Sequence, residues 1–501
     1  MNRRTLIQGA LASAAALSAP GAFAALDAGK RSAIKRAVEA GFEASLRRIQ
    51  DWIRLPTVAA EGLNIEEGAD YMARLAKEAG FSRVRKVPTG GSPAVFGVLD
   101  VGARRTVGLY FMYDVKQFDE PEWSSPPLEP TMFDHPLGRA LRGRGVINHK
   151  GPEATFLAAI HAFHSAGAQL PVNLVLLAEG EEEIGSPNFT NVFKDEEVLR
   201  EFQRADAVFM PTSLQGLGGE IPICLGAKGI IECELIASAE RWGRGATQDV
   251  HSGFKASVDS PVWRLIDALS TLVRDGGNTP AIEGWLEHYR PLTERERELI
   301  AQAARNSNEA DLKRAYGIKR WINDMSWREA LEANAARPTV NIEGLVAGYT
   351  GAGGKTILPG RATAKLDMRL VPDMTAKDCL SKLRAHLDKR GFTDIEIKVG
   401  GAYDPTQTAE DSALIRAEKA VLARLGVPHS IVPRIAGSYP GYMFTGAPLG
   451  KPFNQFGLGH GGRAHAPDEF YLIESNDPKV AGLREATMGY VEFLYELAST
   501  S

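Results

Sequence analysis

The chain has 501 residues, 44% of them hydrophobic and 24% charged, with a formal net charge of -4. That length exceeds what one hydrophobic core normally organises, so two or more domains are expected. The slight acidity and the lack of a long basic run argue against a nucleic-acid binder, and past the N-terminus no apolar run reaches the ~20 residues that span a bilayer.

Residues 1–24 have the layout of a removable export signal. Arg3 and Arg4 supply a basic start, a small apolar run follows from Leu6 to Ala19, and Ala22-Phe23-Ala24 fits a small-x-small cleavage site. The arginine pair followed by Leu6-Ile7 resembles a twin-arginine signal, which delivers a folded protein to the periplasm. Helical spacing then covers 32–55 and 68–80, and short strands are predicted over 94–99 and 106–112. A helix over 152–166 and an apolar strand over 172–178 continue the alternation, which predicts an α/β layer structure with its chemistry at the carboxyl ends of strands.

After Pro222 the pattern changes. Strands over 228–239, 362–370 and 394–399 with helices over 260–274 and 375–390 predict a small α+β unit, a sheet with two helices on one side. A polar, helix-rich stretch, 279–336, reads as an insertion in it, and from about Ala413 the chain re-enters the first domain. The expected organisation is a signal at 1–24, a catalytic domain at 25–223 and 403–501, and a lid or dimerisation domain at 224–402. Cys224, Cys233 and Cys379 are too few and too scattered for a disulfide framework, so buried free thiols are expected.

Three stretches carry the chemistry. Glu179-Gly180-Glu181-Glu182-Glu183-Ile184-Gly185-Ser186 packs carboxylates directly after an apolar strand, where like charges raise one another's pKa unless a cation or a catalytic task compensates. Gly461-Gly462-Arg463-Ala464-His465 places a histidine in a glycine-rich loop, and imidazole is a common metal ligand. Asp249-Val250-His251-Ser252-Gly253 puts another histidine in the second unit.

Together with YDV at 113–115, EWSSPPLEPT at 122–131, KGP at 150–152, PTVNIEGL at 338–345, GGKTILP at 353–359, MRLVP at 368–372 and GGRAHAPDEF at 461–470, these stretches resemble the two-zinc exopeptidases and amidohydrolases. That family includes carnosine-type dipeptidases, carboxypeptidase G, aminoacylase and succinyl-diaminopimelate desuccinylase. The resemblance runs from about Leu46 to the C-terminus. It implies an α/β/α zinc-exopeptidase-like catalytic domain with an inserted ferredoxin-like α+β lid that also serves dimerisation.

Residue by residue, the resemblance places the general base on Glu182, a metal ligand on Glu183, the late histidine ligand on His465 and the orienting aspartate on Asp114. His251 falls where related dimers reach into the partner's site to stabilise an oxyanion, and Arg434 and Ser438 where the substrate carboxylate is gripped. Three further ligand positions depart from the pattern: Met112 replaces a histidine, Asn148 the bridging aspartate and Thr212 an acidic ligand. A thioether, a neutral amide and a hydroxyl suit a zinc pair poorly, and a lone ligand carboxylate leaves two dications uncompensated.

No binuclear zinc is therefore expected. The expected cofactor is none, or a single weakly held divalent ion, zinc first, between Glu183 and His465 with help from His149. Lys116, Lys150 and Arg463 are candidates to supply positive charge instead. The implied function is an exported, homodimeric hydrolase of amide bonds in small peptides or N-acyl amino acids. The alternatives are a non-catalytic peptide- or amino-acid-binding protein on the same scaffold, and an acyl-transferring or ligase-like enzyme.

Overall fold

Thr106–Met112 and Asn173–Glu179 read as unbroken apolar runs because both of their faces are covered. In the computed structural model, which describes residues 27–500, they are parallel neighbours at the middle of a six-stranded sheet. The sheet order is Ser82–Val87, Ala94–Leu99, Asn173–Glu179, Thr106–Met112, Ala207–Pro211, Phe453–Phe456. Ala94–Leu99 runs antiparallel to both of its neighbours, and the other five strands share one direction. The export signal expected at residues 1–24 lies outside the described residues.

Side-chain alternation divides the central strand between two cores. Leu109 and Phe111 join a layer built from helices Ala28–Ile53, Lys150–Ser165, Ala413–Arg424 and Leu483–Ser499. Tyr110 and Met112 pack on the other side with Phe189, Phe202, Phe444 and Phe453. The strand over 453–456 brings the C-terminal part of the chain back into this sheet, as the expected re-entry requires.

The second unit is an antiparallel sheet in the order Thr339–Ala347, Arg361–Leu370, Gly229–Ser238, Glu396–Tyr403. One face is covered by Pro261–Ser270 and Ala376–Lys389 through Leu265, Leu269, Cys379 and Leu383 against Ile231, Leu235 and Leu366. Cys233 and Cys379 are buried free thiols, and Cys224 is free but only half-buried.

The insertion contributes helices Glu294–Asn306, Glu309–Tyr316 and Trp327–Ala336. It is anchored to the catalytic domain by Arg434, whose guanidinium donates to Glu296, to Gln407 Oε1 at 3.2 Å and to the Ala335 carbonyl at 3.0 Å. Glu296 is buried, which would raise its carboxyl, yet Arg290, the Thr293 N–H and Arg434 hold it down to about 2. Arg434→Met removes one partner of a mostly buried ion pair and is expected to cost about 3 kcal/mol of stability, read from urea unfolding. A change within experimental error would show that Arg290 alone suffices for Glu296.

Candidate active site

The strands Thr106–Met112, Asn173–Glu179 and Ala207–Pro211 are parallel, so their carboxyl ends open on the same edge. Asp114, the 3-10 turn Glu182–Ile184 and Thr212 all follow these ends directly. These candidate residues therefore lie together at the carboxyl edge of the sheet.

Asp114 is fully buried and accepts the backbone N–H groups of Glu182 at 3.3 Å and Glu183 at 3.0 Å. It holds the turn that carries both glutamates. Burial pushes the Asp114 carboxyl up to about 8, with Glu183 adding to the effect. Burial likewise raises Glu182 well above the ordinary carboxylate range, reinforced by Glu183, Asp114 and Glu179 and opposed by Lys116. Below the turn Glu179 is buried and pushed up by burial, and accepts from Tyr110 at 2.5 Å and Ser186 at 3.0 Å.

Three side chains converge on the Glu183 carboxylate. Asn148 Nδ2 donates to Glu183 Oε1 at 2.5 Å and lies 2.9 Å from His465 Nε2. His465 Nε2 is 3.2 Å from Glu183 Oε2, and the Lys116 ammonium is 3.5 Å from the same oxygen while donating to the Glu183 carbonyl. The loop bearing Asn148 is held by Glu469, whose buried carboxylate accepts from Arg144, Gly145, Ile147 and Asn148 at 2.8–2.9 Å. Gly151 is required just after it, since a Cβ there would stand 2.0 Å from the Val146 carbonyl oxygen.

These residues do not fit a zinc pair. The point shared by Glu183 and His465, where a cation would sit, is filled by the Asn148 N–H2, and Lys116 brings a second positive group to the same carboxylate. Met112 is buried in the apolar cluster with Tyr110 and Phe189, and Thr212 is held through its backbone, its N–H to Phe456 O at 3.0 Å and its carbonyl to Tyr490 at 2.9 Å. Among the described residues no group of three or more His, Cys, Asp or Glu is arranged to hold a metal ion. His149 is pushed down to about 4 by burial and its Nδ1 has no hydrogen-bond partner, so it is present as a neutral imidazole.

Several expected placements are corrected. Lys150 points away from the site, donating to the carbonyls of Trp52 at 3.1 Å and Leu55 at 2.7 Å, and burial pushes it down to about 7. Arg463 is bound to the Pro467 carbonyl at 2.6 Å on the surface of its own loop. Arg434 is occupied by Glu296 as described, so its guanidinium is not free to grip a carboxylate. His251, whose expected role lies across a dimer, is exposed on the lid in the short strand Val250–His251 antiparallel to Ile357–Leu358, and its Nδ1 accepts the Gly253 N–H at 3.0 Å.

Ser438 accepts from Arg369 at 2.8 Å. That arginine, in MRLVP, belongs to the lid strand Arg361–Leu370 and crosses to the catalytic domain. Neither Arg369 nor Glu469 stands out from the sequence. MRLVP and GGRAHAPDEF carried the signal, and an ionisable residue two or four positions from the motif's obvious chemistry was the clue.

An α/β/α sheet domain with an inserted sheet-and-helix lid, and a glutamate pair at the strand ends between them, defines a class of co-catalytic exopeptidase scaffolds. A sequence profile of peptidase family M20/M25/M40 matches residues 108–488. The chain belongs to that family and is a hydrolase of its peptidase class. It is 28% identical over 362 residues to the Cys-Gly metallodipeptidase DUG1 of Saccharomyces cerevisiae, covering 68% of this chain and 72% of that one. It is 26% identical over 340 residues to the Beta-Ala-His dipeptidase of Mus musculus, 64% of each chain. Among solved structures, the M20 family metallo-carboxypeptidase Sso-CP2 of Sulfolobus solfataricus superposes with a TM-score of 0.79 at 31% identity, over 91% of this chain and 98% of that one. Human carnosine dipeptidase 1 shares the fold, with a TM-score of 0.74 at 22% identity over 93% of this chain and 99% of that one.

Proposed function

We propose that the protein is an exported hydrolase of amide bonds in small peptides or N-acyl amino acids, working without a binuclear zinc pair. The observation that carries this is the Asp114 clasp on Glu182 and Glu183, which fixes two carboxylates at the strand ends beside Lys116. Glu182 takes the proton of the attacking water. The Lys116 ammonium and the Asn148 N–H groups supply the positive potential that an oxyanion needs. The Ser438 hydroxyl, which accepts from Arg369 at 2.8 Å and has its own proton to donate, is the donor this reading gives to a substrate carboxylate.

A homodimer is the assembly this reading takes. Thr339–Ala347 is an edge strand exposing Ile342, Leu345 and Val346, and unpaired apolar edges invite strand pairing. His251, exposed and lightly held on the lid, is then the group that a partner contributes. The basic and apolar layout of residues 1–24 supports export to the periplasm.

A second reading, a binding protein without turnover, is favoured by the heavy burial of Glu182, which keeps its carboxyl protonated where an ordinary glutamate is ionised. The two part on pH. Because the folded carboxyl is raised, its basic form appears only above that raised pKa, so kcat/KM for a dipeptide is expected to keep climbing with pH above the range in which an ordinary glutamate ionises. Elemental analysis of the purified protein and hydrolysis assays with and without chelator complete the test. Turnover abolished by chelator and restored by two equivalents of zinc overturns the metal-free centre, and absence of turnover at any pH leaves the binding protein.

A further inference from the structure

The open face of the lid sheet carries its charges in rows set by strand register. In one row Glu234 stands between Lys398 and Lys365, each directly opposite on a flanking strand, with Lys365 3.8 Å away. That row is balanced. In the neighbouring row Glu232 stands between Gly401, which has no side chain, and Asp367, a second carboxylate. Like charges directly opposed across strands destabilise a sheet unless something cationic joins them.

Nothing in the chain does so fully. Asp367 is 8% exposed; its Oδ2 accepts from Arg369 at 2.6 Å, but its Oδ1 is buried with no hydrogen-bond partner. The cost of an unmet buried carboxylate oxygen is what a ligand donor would relieve. The two cations that act on Glu232, Lys116 and Arg369, are committed elsewhere, Lys116 to Glu183 and Arg369 to Asp367 Oδ2 and Ser438.

The row also faces the site. Glu232 Oε2 lies 3.5 Å from the position a Gly401 Cβ would take and 3.7 Å from that of Gly185, which closes the turn bearing Glu182 and Glu183. Both neighbours lack side chains, so the carboxylate looks across bare backbone toward the glutamate pair. Burial, then Glu343 and Asp367, push the Glu232 carboxyl up, the expected mark of an uncompensated cluster.

We propose that Glu232 and Asp367 form a subsite for a primary ammonium group of the substrate, on the lid opposite Glu182 and Glu183. An ammonium brings three donors and one positive charge to two carboxylates short of both. Arg369 already pairs with Asp367 Oδ2 at 2.6 Å, so what the pair leaves for an ammonium is the Glu232 carboxylate and the unpartnered Asp367 Oδ1. This rests on the hydrolase reading of the cleft.

The test measures binding of alanyl-alanine, N-acetyl-alanyl-alanine and N-acetyl-alanyl-lysine by calorimetry to the full chain and to Glu232→Gln and Asp367→Asn. The wild type is expected to favour one amine-bearing ligand over the N-acetyl-alanyl-alanine control by about tenfold or more. Preference for alanyl-alanine identifies an α-ammonium, and preference for N-acetyl-alanyl-lysine a basic side chain. Either variant is expected to bring the ratio close to one. Equal affinity of the wild type for all three, or a ratio unmoved in both variants, overturns the subsite while leaving the hydrolase reading standing. Failure of every ligand to bind removes both.

Discussion

Glu182→Gln is expected to lower kcat for dipeptide hydrolysis by about 10²–10⁴-fold, the usual contribution of a positioned general base. The amide keeps the size and can keep the contacts of the side chain, but it cannot take the proton of water. KM is expected to move little, since Arg369, Ser438 and the lid carboxylates are untouched. The variant is also expected to be at least as stable as the wild type. Glu182 is buried beside Glu183, Asp114 and Glu179, which all disfavour its charge, and removing one member of such a cluster relieves repulsion, a common exchange of function for stability. Loss of turnover with unchanged or higher melting temperature thus separates a chemical role from unfolding. Turnover equal to wild type would remove Glu182 from the mechanism and shift attention to His149, whose buried Nδ1 has no partner.

Elements buried on both faces were legible in the sequence to within a residue or so. Ala94–Leu99 and Thr106–Met112 coincide with their predicted spans because uninterrupted apolar runs end where burial ends. Thr339–Ala347 was not legible as a strand, since it lies at an exposed edge and its side chains alternate poorly. The short strands Gly138–Arg142 and Phe470–Ser475 escaped for a related reason, each being held by a partner more than 300 positions away, and Thr131–His135 only extends that ladder as a hairpin with Gly138–Arg142. Within the site, Asp114, Glu182 and Glu183 could be found from their position after strands. Arg369 and Glu469 could not, because their roles depend on contacts across domains or across the chain. Arg434 shows the converse error: a motif position pointed to a ligand, while the insertion had supplied Glu296 as a standing partner.

The ligand positions themselves can be rewritten, and the second large effect follows from the charge that this adds. Met112→His, Asn148→Asp and Thr212→Asp together are expected to give a chain that binds two zinc ions, more than the wild type, read by elemental analysis after dialysis. The reason is electrostatic. Asn148 now gives Glu183 an N–H at 2.5 Å; an aspartate there offers a second carboxylate, which repels Glu183 until a dication lies between them. Without metal the triple variant is therefore expected to lose about 3 kcal/mol of stability, the scale of an uncompensated buried charge, and to regain it when zinc is added. Met112→His carries its own cost, since the side chain leaves an apolar layer with Tyr110 and Phe189. The single variant Asn148→Asp isolates the bridging position: it is expected to show the metal-reversible destabilisation without the full stoichiometry. Zinc content no higher in the triple variant than in the wild type would mean that these three positions do not face a common cation, and that the exchange of Asn148 and Lys116 for metal is not what distinguishes this centre from its relatives.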